Sequence, residues 1–311
     1  MVDAQLPDVA AMGRVAVLIG GWSAEREVSL KSGEQVLAAL QGAGVDAFAV
    51  DVQRDELHDA LVGKCDRVFN LLHGTWGEDG NLQGFLDTLD IPYTGSSALA
   101  SALAMDKDLA KSVCRQHGVR TPQWRTVESV DDCMSAAQEY GYPMVLKPVA
   151  EGSSIGVSLV MENELASAYD SAARYGSVMA EQYIDGSEVT VAILNGTVLP
   201  AVKITTPNQF YDYDAKYLNS TTTYDCPSGL DAELERQMSD TALRVFQLLK
   251  CHGWGRVDFL LDKRDQYFLL EVNTVPGMTD HSLVPMAARE AGVDFAELVV
   301  RILATSMESR R

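Results

Sequence analysis

Hydrophobic positions along the chain follow two spacings that take turns. Residues 15–19 form a compact apolar run ending at Gly20-Gly21, as a strand buried on both faces does. A helical period follows over residues 29–40, with Gly42 and Gly44 as stop signals. Residues 45–52 and 67–72 read as a second and a third strand, 81–89 as a further helix and 91–94 as a short strand. Strands alternating with helices predict βαβ units and a parallel sheet. Residues 1–13 read as a frayed leader, and 99–117 as one helix ending at Gly118.

The pattern changes near residues 104–107, where the first domain boundary is set. Strands are predicted at 144–149 and 156–160, then a helix over 163–175, then strands at 177–184, 188–194 and 198–204. Neighbouring strands without long crossovers predict a mostly antiparallel sheet. The Tyr-rich stretch 205–223 has no period, and nineteen unpatterned residues inside a compact domain predict a lid or binding loop. A helix over 231–250, strands at 256–261 and 267–272, and a closing helix capped by Asp294 complete the chain.

At 311 residues the chain exceeds one average domain, and two or three lobes are expected. Twenty-five Lys plus Arg against 44 Asp plus Glu give a net charge of −19, which argues against a nucleic-acid partner. A locally basic pocket for a small anion remains compatible with that surface. The five cysteines, Cys65, Cys114, Cys133, Cys226 and Cys251, are scattered, as reduced thiols of a cytoplasmic protein are. The N-terminal apolar run is too short for a signal core, and no membrane insertion is expected.

The stretch 255–273 concentrates the chemistry. Lys263-Arg264-Asp265-Gln266 is a polar turn between apolar runs, which predicts an antiparallel hairpin. Centred between Arg264 and Asp265, it sets Asp258 opposite Glu271 with Cβ atoms roughly 5 Å apart. Arg256 and Asn273 share that face. Two opposed carboxylates among Leu, Val and Phe call for a cation. Mg²⁺, held by carboxylate and amide oxygens together with phosphates, meets that need. The alternative is simple pairing with Arg256 or a lysine.

Four further segments carry candidate ligands. The loop Glu151-Gly152-Ser153-Ser154 after Lys147 offers N–H groups and hydroxyls to phosphate, or is a plain hairpin turn. It is no P-loop, lacking the Gly-Lys-Ser/Thr ending. Glu181-Gln182-Tyr183-Ile184 before a glycine turn can present backbone groups to a flat base and Glu188 to ribose, or can be a solvated turn. Beyond the first strand, Glu25 lies where ligands gather in parallel sheets, although Glu25, Arg26 and Glu27 also suit a helix start. His73 follows the third strand in the same way.

Taken in order, these segments resemble the D-alanine–D-alanine ligase family of ATP-grasp enzymes. The resemblance rests on Ser23-Ala24-Glu25-Arg26-Glu27-Val28-Ser29, His73-Gly74 with Gly77-Glu78-Asp79-Gly80, Met105-Asp106-Lys107, Glu151-Gly152-Ser153-Ser154, Tyr211-Asp212-Tyr213 with Ala215-Lys216-Tyr217, Gly253-Trp254-Gly255-Arg256, and the run Glu271 to Thr279 with His281-Ser282-Leu283. Trp22 and Val275 depart from the family pattern, and neither offers a ligand. The resemblance implies an α/β (α+β) ATP-grasp fold: an N-terminal parallel-sheet α/β substrate domain (1–104), then two α+β lobes (105–190 and 191–311) that sandwich ATP, with a lid over 205–223.

By the same resemblance, ATP and two Mg²⁺ ions, for which Mn²⁺ can substitute, are the cofactors. Lys107, Lys147, Glu151, Gly152, Ser153, Ser154, Glu181, Gln182, Ile184 and Glu188 would bind ATP, and Asp258, Glu271 and Asn273 the metals. Arg256 and the Gly277 N–H would act on the acyl oxygen, while Glu25 and His73 would hold the first D-alanine. Lys216, Ser282 and Leu283 would bind the second, and Glu25, Ser153 and Tyr217 would form one hydrogen-bonded set. Tyr217 is the residue that favours D-alanine over D-lactate as second substrate. A depsipeptide ligase and a non-catalytic nucleotide-binding protein are the alternatives. A cytoplasmic homodimer is the assembly implied.

Overall fold

The computed structural model describes residues 8–54, 56–206 and 222–308. The N-terminal part holds strands β1 (Val15–Gly20), β2 (Ala47–Val52) and β3 (Arg67–Asn70), parallel and in the order β2-β1-β3. Helix α1 (Arg26–Gly42) joins the first two, α2 (Leu57–Leu61) precedes β3, and α3 (Asn81–Thr88) follows it. Both faces of β1 are covered: Val15 and Val17 pack with Val36 and Leu40 of α1, and Ala16 and Leu18 with Leu82 and Leu86 of α3. That is why the run carries no polar alternation.

Helix α4 (Ala98–Met105) and helix α5 (Lys107–Gln116) replace the single helix expected over 99–117. Asp106 is the break: in an extended conformation it ends α4, and its carboxylate caps α5 through Leu109 N at 2.9 Å. The short strand expected at 91–94 reduces to a single bridge, Val68 to Tyr93. The supposed leader contains a 3₁₀ turn, Val9–Met12, capped by Asp8, and Met12 is fully buried.

The central sheet contains β4 (Trp124–Val127), β5 (Met144–Pro148), β6 (Ser158–Val160) and β7 (Val178–Gln182), antiparallel in the order β4-β7-β5-β6. Helices α6 (Val130–Tyr140) and α7 (Leu165–Ala173) pack against Met144, Leu146, Val178 and Ala180. The sequence pattern gave no warning of β4 or α6. On the strands, alternation turns Val145, Lys147 and Glu181 to the opposite face.

The third sheet contains β8 (Gly186–Leu194), β9 (Thr197–Val198), β10 (Val202–Thr205), β11 (Thr223–Asp225), β12 (Trp254–Asp262) and β13 (Tyr267–Asn273). Its order is β11-β10-β8-β12-β13, with β9 on β8, and every pairing is antiparallel. The expected division at residue 190 falls inside β8. Pro200 lies between β9 and β10, which together replace the one strand expected at 198–204. Helix α8 (Ala232–Leu248) and α5 cover one face. Helices α9 (Leu283–Glu290) and α10 (Phe295–Ala304) join this sheet to the N-terminal one in a shared core. Among the described residues no helix is long and apolar enough to cross a membrane, and all five cysteines are free thiols.

Candidate active site

The β12–β13 hairpin supplies the floor. Asp258 pairs with Glu271 and Arg256 with Asn273, as the sequence predicts. The route to that register differs, however. The turn is three residues long and centred on Arg264, with Asp262 accepting from the backbone N–H groups of Arg264 and Gln266 and with Asp265 at φ 58°. That turn pairs Phe259 with Leu269, and a bulge at Leu270 then restores the expected partner for Asp258. Leu270 and Glu271 consequently both line the cleft.

Around this floor each carboxylate has a cation. Arg256 binds Asp258 through Nε at 2.8 Å and a second nitrogen at 2.9 Å; Asn273 Nδ2 donates to it at 2.9 Å, and Thr190 Oγ1, from the neighbouring strand, donates as well. Lys107 Nζ lies 3.4 Å from Glu271. The simple pairing posed as the alternative to metal is therefore what the ligand-free chain does with these charges. The donor set still suits Mg²⁺: two carboxylates and one amide on one sheet face, all oxygen-bearing. Among the described residues no three His, Cys, Asp or Glu side chains form a ready cage. Mg²⁺ seldom uses one, taking one or two carboxylates with phosphate and water instead.

Between the central and third sheets lies a cavity of about 160 Å³. Eight of the ten residues expected to bind ATP line it: Lys107, Lys147, Glu151, Ser154, Glu181, Gln182, Ile184 and Glu188. Val145, Pro148, Ile155, Val157, Leu260 and Leu270 add apolar walls that the motif reading did not name. Alternation along β5 and β12 was the signal available for two of them, Val145 and Leu260. Lys147 Nζ donates to Glu181 Oε2 at 2.6 Å, a diagonal contact across the β5–β7 ladder. Burial pushes the Glu181 carboxyl up, but Lys111 and Lys147 outweigh it and leave it below the usual carboxylate range.

The remaining two, Gly152 and Ser153, turn toward Glu25. Ser153 Oγ donates to Glu25 Oε1, and a Cβ at Gly152 would come within 2.9 Å of Oε2. Gly74, at φ 67°, is as close, leaving 3.1 Å to the same oxygen. Glu25 ends the loop before α1, and that loop is fastened by Ser29, whose hydroxyl accepts from Gly20 N and donates to Leu71 O. The carboxylate thus meets the glycine loop across a junction between domains. Lys216 and Tyr217, with most of the expected lid, lie outside the described residues.

His73 is buried, and its Nδ1 contacts Val275 O at 2.9 Å. Because a carbonyl only accepts, Nδ1 carries the proton and Nε2 of the neutral ring is an acceptor. Burial lowers its pKa, with Glu25 opposing. Gly277 follows Val275 by two residues, and a Cβ there would stand 3.2 Å from Ser282 Oγ. Ser282 precedes α9 without capping it; its hydroxyl accepts from Thr279 N at 2.9 Å. The Leu283 side chain is in the core, so only its backbone N–H, at the helix N-terminus, is suited to an anion.

Glu78, which belongs to the Gly77–Gly80 motif, accepts from Gly74 N at 2.8 Å. Burial, then Glu25, pushes its carboxyl up to about 8. Burial and Glu25 raise Glu151 as well, with Lys107 opposing. The Glu25 end of the site is therefore over-supplied with carboxylates.

Two antiparallel sheets facing each other across a lysine-bearing cleft, with an α/β domain against their rim, define the ATP-grasp class of ligases. The D-ala D-ala ligase C-terminus family model matches residues 113–304, and the N-terminus model residues 50–96. The chain belongs to the D-alanine–D-alanine ligase family. It is 55% identical over 305 residues to the D-alanine–D-alanine ligase of Ectopseudomonas mendocina, covering 97% of each, and 50% identical to that of Methylococcus capsulatus, covering 98% of this chain and 99% of the relative. The D-alanine–D-alanine ligase of Bacillus anthracis complexed with ATP superposes with a TM-score of 0.82 at 31% identity, over 95% of this chain and 97% of that one. The VanG D-Ala:D-Ser ligase of Enterococcus faecalis gives 0.81 at 28%, over 94% and 99%.

Proposed function

We propose that the protein joins two D-alanines into D-alanyl-D-alanine at the expense of ATP, giving ADP and phosphate. The observation that carries this reading is the opposed Asp258–Glu271 pair, with Arg256 and Asn273 beside it, of which Glu271 lines the lysine-bearing cleft. ATP occupies that cleft, its base between Glu181, Gln182, Ile184 and the apolar walls, its ribose at Glu188, and its phosphates at Lys107, Lys147 and the Glu151–Ser154 loop. Asp258, Glu271 and Asn273 would hold two Mg²⁺ ions, replaceable by Mn²⁺, which would supply positive charge to offset that of the phosphates.

The first D-alanine is held by its ammonium at Glu25, with His73 Nε2 as a second acceptor. Its carboxylate attacks the γ-phosphorus; the bond to the β-phosphate oxygen breaks, ADP leaves and D-alanyl phosphate forms. The amine of a second D-alanine then attacks the acyl carbon, the bond from that carbon to the phosphate oxygen breaks, and phosphate departs with the proton the amine gives up. Arg256 and the Gly277 N–H face the oxygen that becomes negative; one such donor is worth ~10²–10³ in rate. Arg256 and Lys107, now paired with Asp258 and Glu271, become available once those carboxylates take other partners. Ser282, the Leu283 N–H and Lys216 receive the second substrate's carboxylate. The enzyme works in the cytoplasm as a homodimer and supplies a peptidoglycan precursor.

The test is ADP release with and without D-alanine, with mass analysis of the product. D-Alanine-dependent ADP and a dipeptide are expected. ADP release indifferent to D-alanine overturns the reading, and a predominant depsipeptide in competition with D-lactate reassigns the second substrate.

A further inference from the structure

Behind the cleft wall, out of reach of the cavity, lies a second lysine. Lys107 and Lys111 are one turn apart on α5 and share a face. Lys107 lines the cavity and Lys111 does not. The Lys111 side chain is 1% exposed, and its Nζ forms an ion pair with Glu181 Oε1. The same nitrogen donates to Thr121 Oγ1 at 2.6 Å and lies 3.5 Å from Leu269 O on β13, while the Trp124 ring centroid is 5.5 Å away. Glu181 is thus held between two ammonium groups, Lys111 behind it on one oxygen and Lys147 at the cleft wall on the other.

This arrangement answers a conflict inherent in the nucleotide site. Glu181 is 2% exposed, and a buried carboxylate without a cation is strongly unfavourable. Were Lys147 its only partner, turning that lysine toward phosphate would strip the carboxylate bare. Lys111 does not line the cavity, and a hydroxyl, a carbonyl and the Trp124 ring fix it in place. Burial pushes the Lys111 ammonium down to about 8, with Glu181 opposing, so the charge is held chiefly by that carboxylate.

We propose that Lys111 is a positioning residue: it is the standing counter-ion of Glu181, keeping that carboxylate ionised and aimed at the base while leaving Lys147 free for the nucleotide phosphates. An ionised Glu181 only accepts hydrogen bonds, which suits an exocyclic amine on the base and opposes a carbonyl there. The inference rests on the nucleotide reading of Glu181. It also explains why α5 is tied to β13 through Lys111 and Thr121 together.

The experiment is calorimetric titration of Mg-ATP, without D-alanine, into the full chain and the variants Lys111→Met, Lys111→Arg, Glu181→Gln and the double variant combining Lys111→Met with Glu181→Gln. D-Alanine KM and melting curves are measured alongside. Lys111→Met should weaken ATP binding at least about tenfold while the D-alanine KM stays within twofold, and Lys111→Arg should recover most of the loss, since charge-paired hydrogen bonds of this kind are worth about 1.5–3 kcal/mol. Added to Glu181→Gln, Lys111→Met should bring little further loss, because Lys111 acts through Glu181. If Lys111→Met alone does not fold, the double variant, neutral at both positions, should fold and match Glu181→Gln in ATP affinity. An ATP affinity within twofold of the unaltered chain for Lys111→Met, or an equal further loss on both backgrounds, overturns the proposal. ATP binding that is indifferent to Glu181→Gln overturns instead the nucleotide reading on which it stands.

Discussion

The two ends of the proposed site, one for the nucleotide and one for the amino acid, are built by opposite means. The nucleotide end is a product of strands: Asp258, Glu271, Lys147 and Glu181 stand on ladders, and the Asp258–Arg256 and Glu181–Lys147 pairs form within a strand or between neighbours. The amino-acid end is a product of loops. Glu25, His73, Gly152, Ser153 and Gly277 arrive from four separate segments, fastened by backbone bonds such as His73 to Val275 and Ser32 to Met278 N. Charge follows the same divide. Carboxylates of the nucleotide end are matched by Arg256, Lys107, Lys111 and Lys147, whereas Glu78 beside Glu25, and Glu151 where the two ends meet, are pushed upward. Strand register can hold opposite charges in fixed pairs; converging loops leave an anionic pocket that a substrate ammonium can neutralise.

Substitutions can break this contrast in order of size. Asp258→Asn at the nucleotide end removes the carboxylate that Arg256 pairs with and one of the proposed metal donors, and turnover should fall by about 10³ or more with the fold intact, since a metal supplies several kcal/mol of transition-state stabilisation. Steady-state kinetics with circular dichroism read both. Glu25→Gln at the amino-acid end should raise the D-alanine KM about 10–100-fold, the value of one charged hydrogen bond, while ATP affinity measured by titration stays put. A comparable loss of ATP affinity would merge the two ends into one unit.

Glu78→Gln probes the surplus charge through pH. The folded chain keeps the Glu78 proton up to about 8, whereas the unfolded chain releases it near the ordinary value of 4.5. Between those values the folded form binds more protons, so stability contributed here falls as pH rises and is gone above about 8. Glu78→Gln should flatten that decline in melting temperature, measured without ligands from pH 5 to 8.

What the sequence disclosed divides along the same line. Opposition of Asp258 and Glu271 followed from a polar turn and a period of two, and it held although the turn was one position off, because Leu270 supplies the compensating residue. A bulge has no mark in an apolar run of Phe268, Leu269 and Leu270. The α4–α5 break was concealed because Asp106 both interrupts and caps, and a mid-helix Asp costs too little to announce an end. Strand β4 carries Trp124-Arg125-Thr126-Val127 at a sheet edge, where one polar face blurs alternation. At the loops, no local pattern joins Glu25 to Ser153 across 128 positions; only the family resemblance brought them together. Lys111 escaped because nothing in its neighbourhood distinguishes a buried lysine from a solvated one on a helix.

Thr205 and Thr223 face each other on one rung of the β10–β11 ladder. The chain therefore leaves the sheet and returns to it through a single gateway: whatever runs between these two threonines begins and ends one strand's width apart, roughly 5 Å, beside the wall of the cleft.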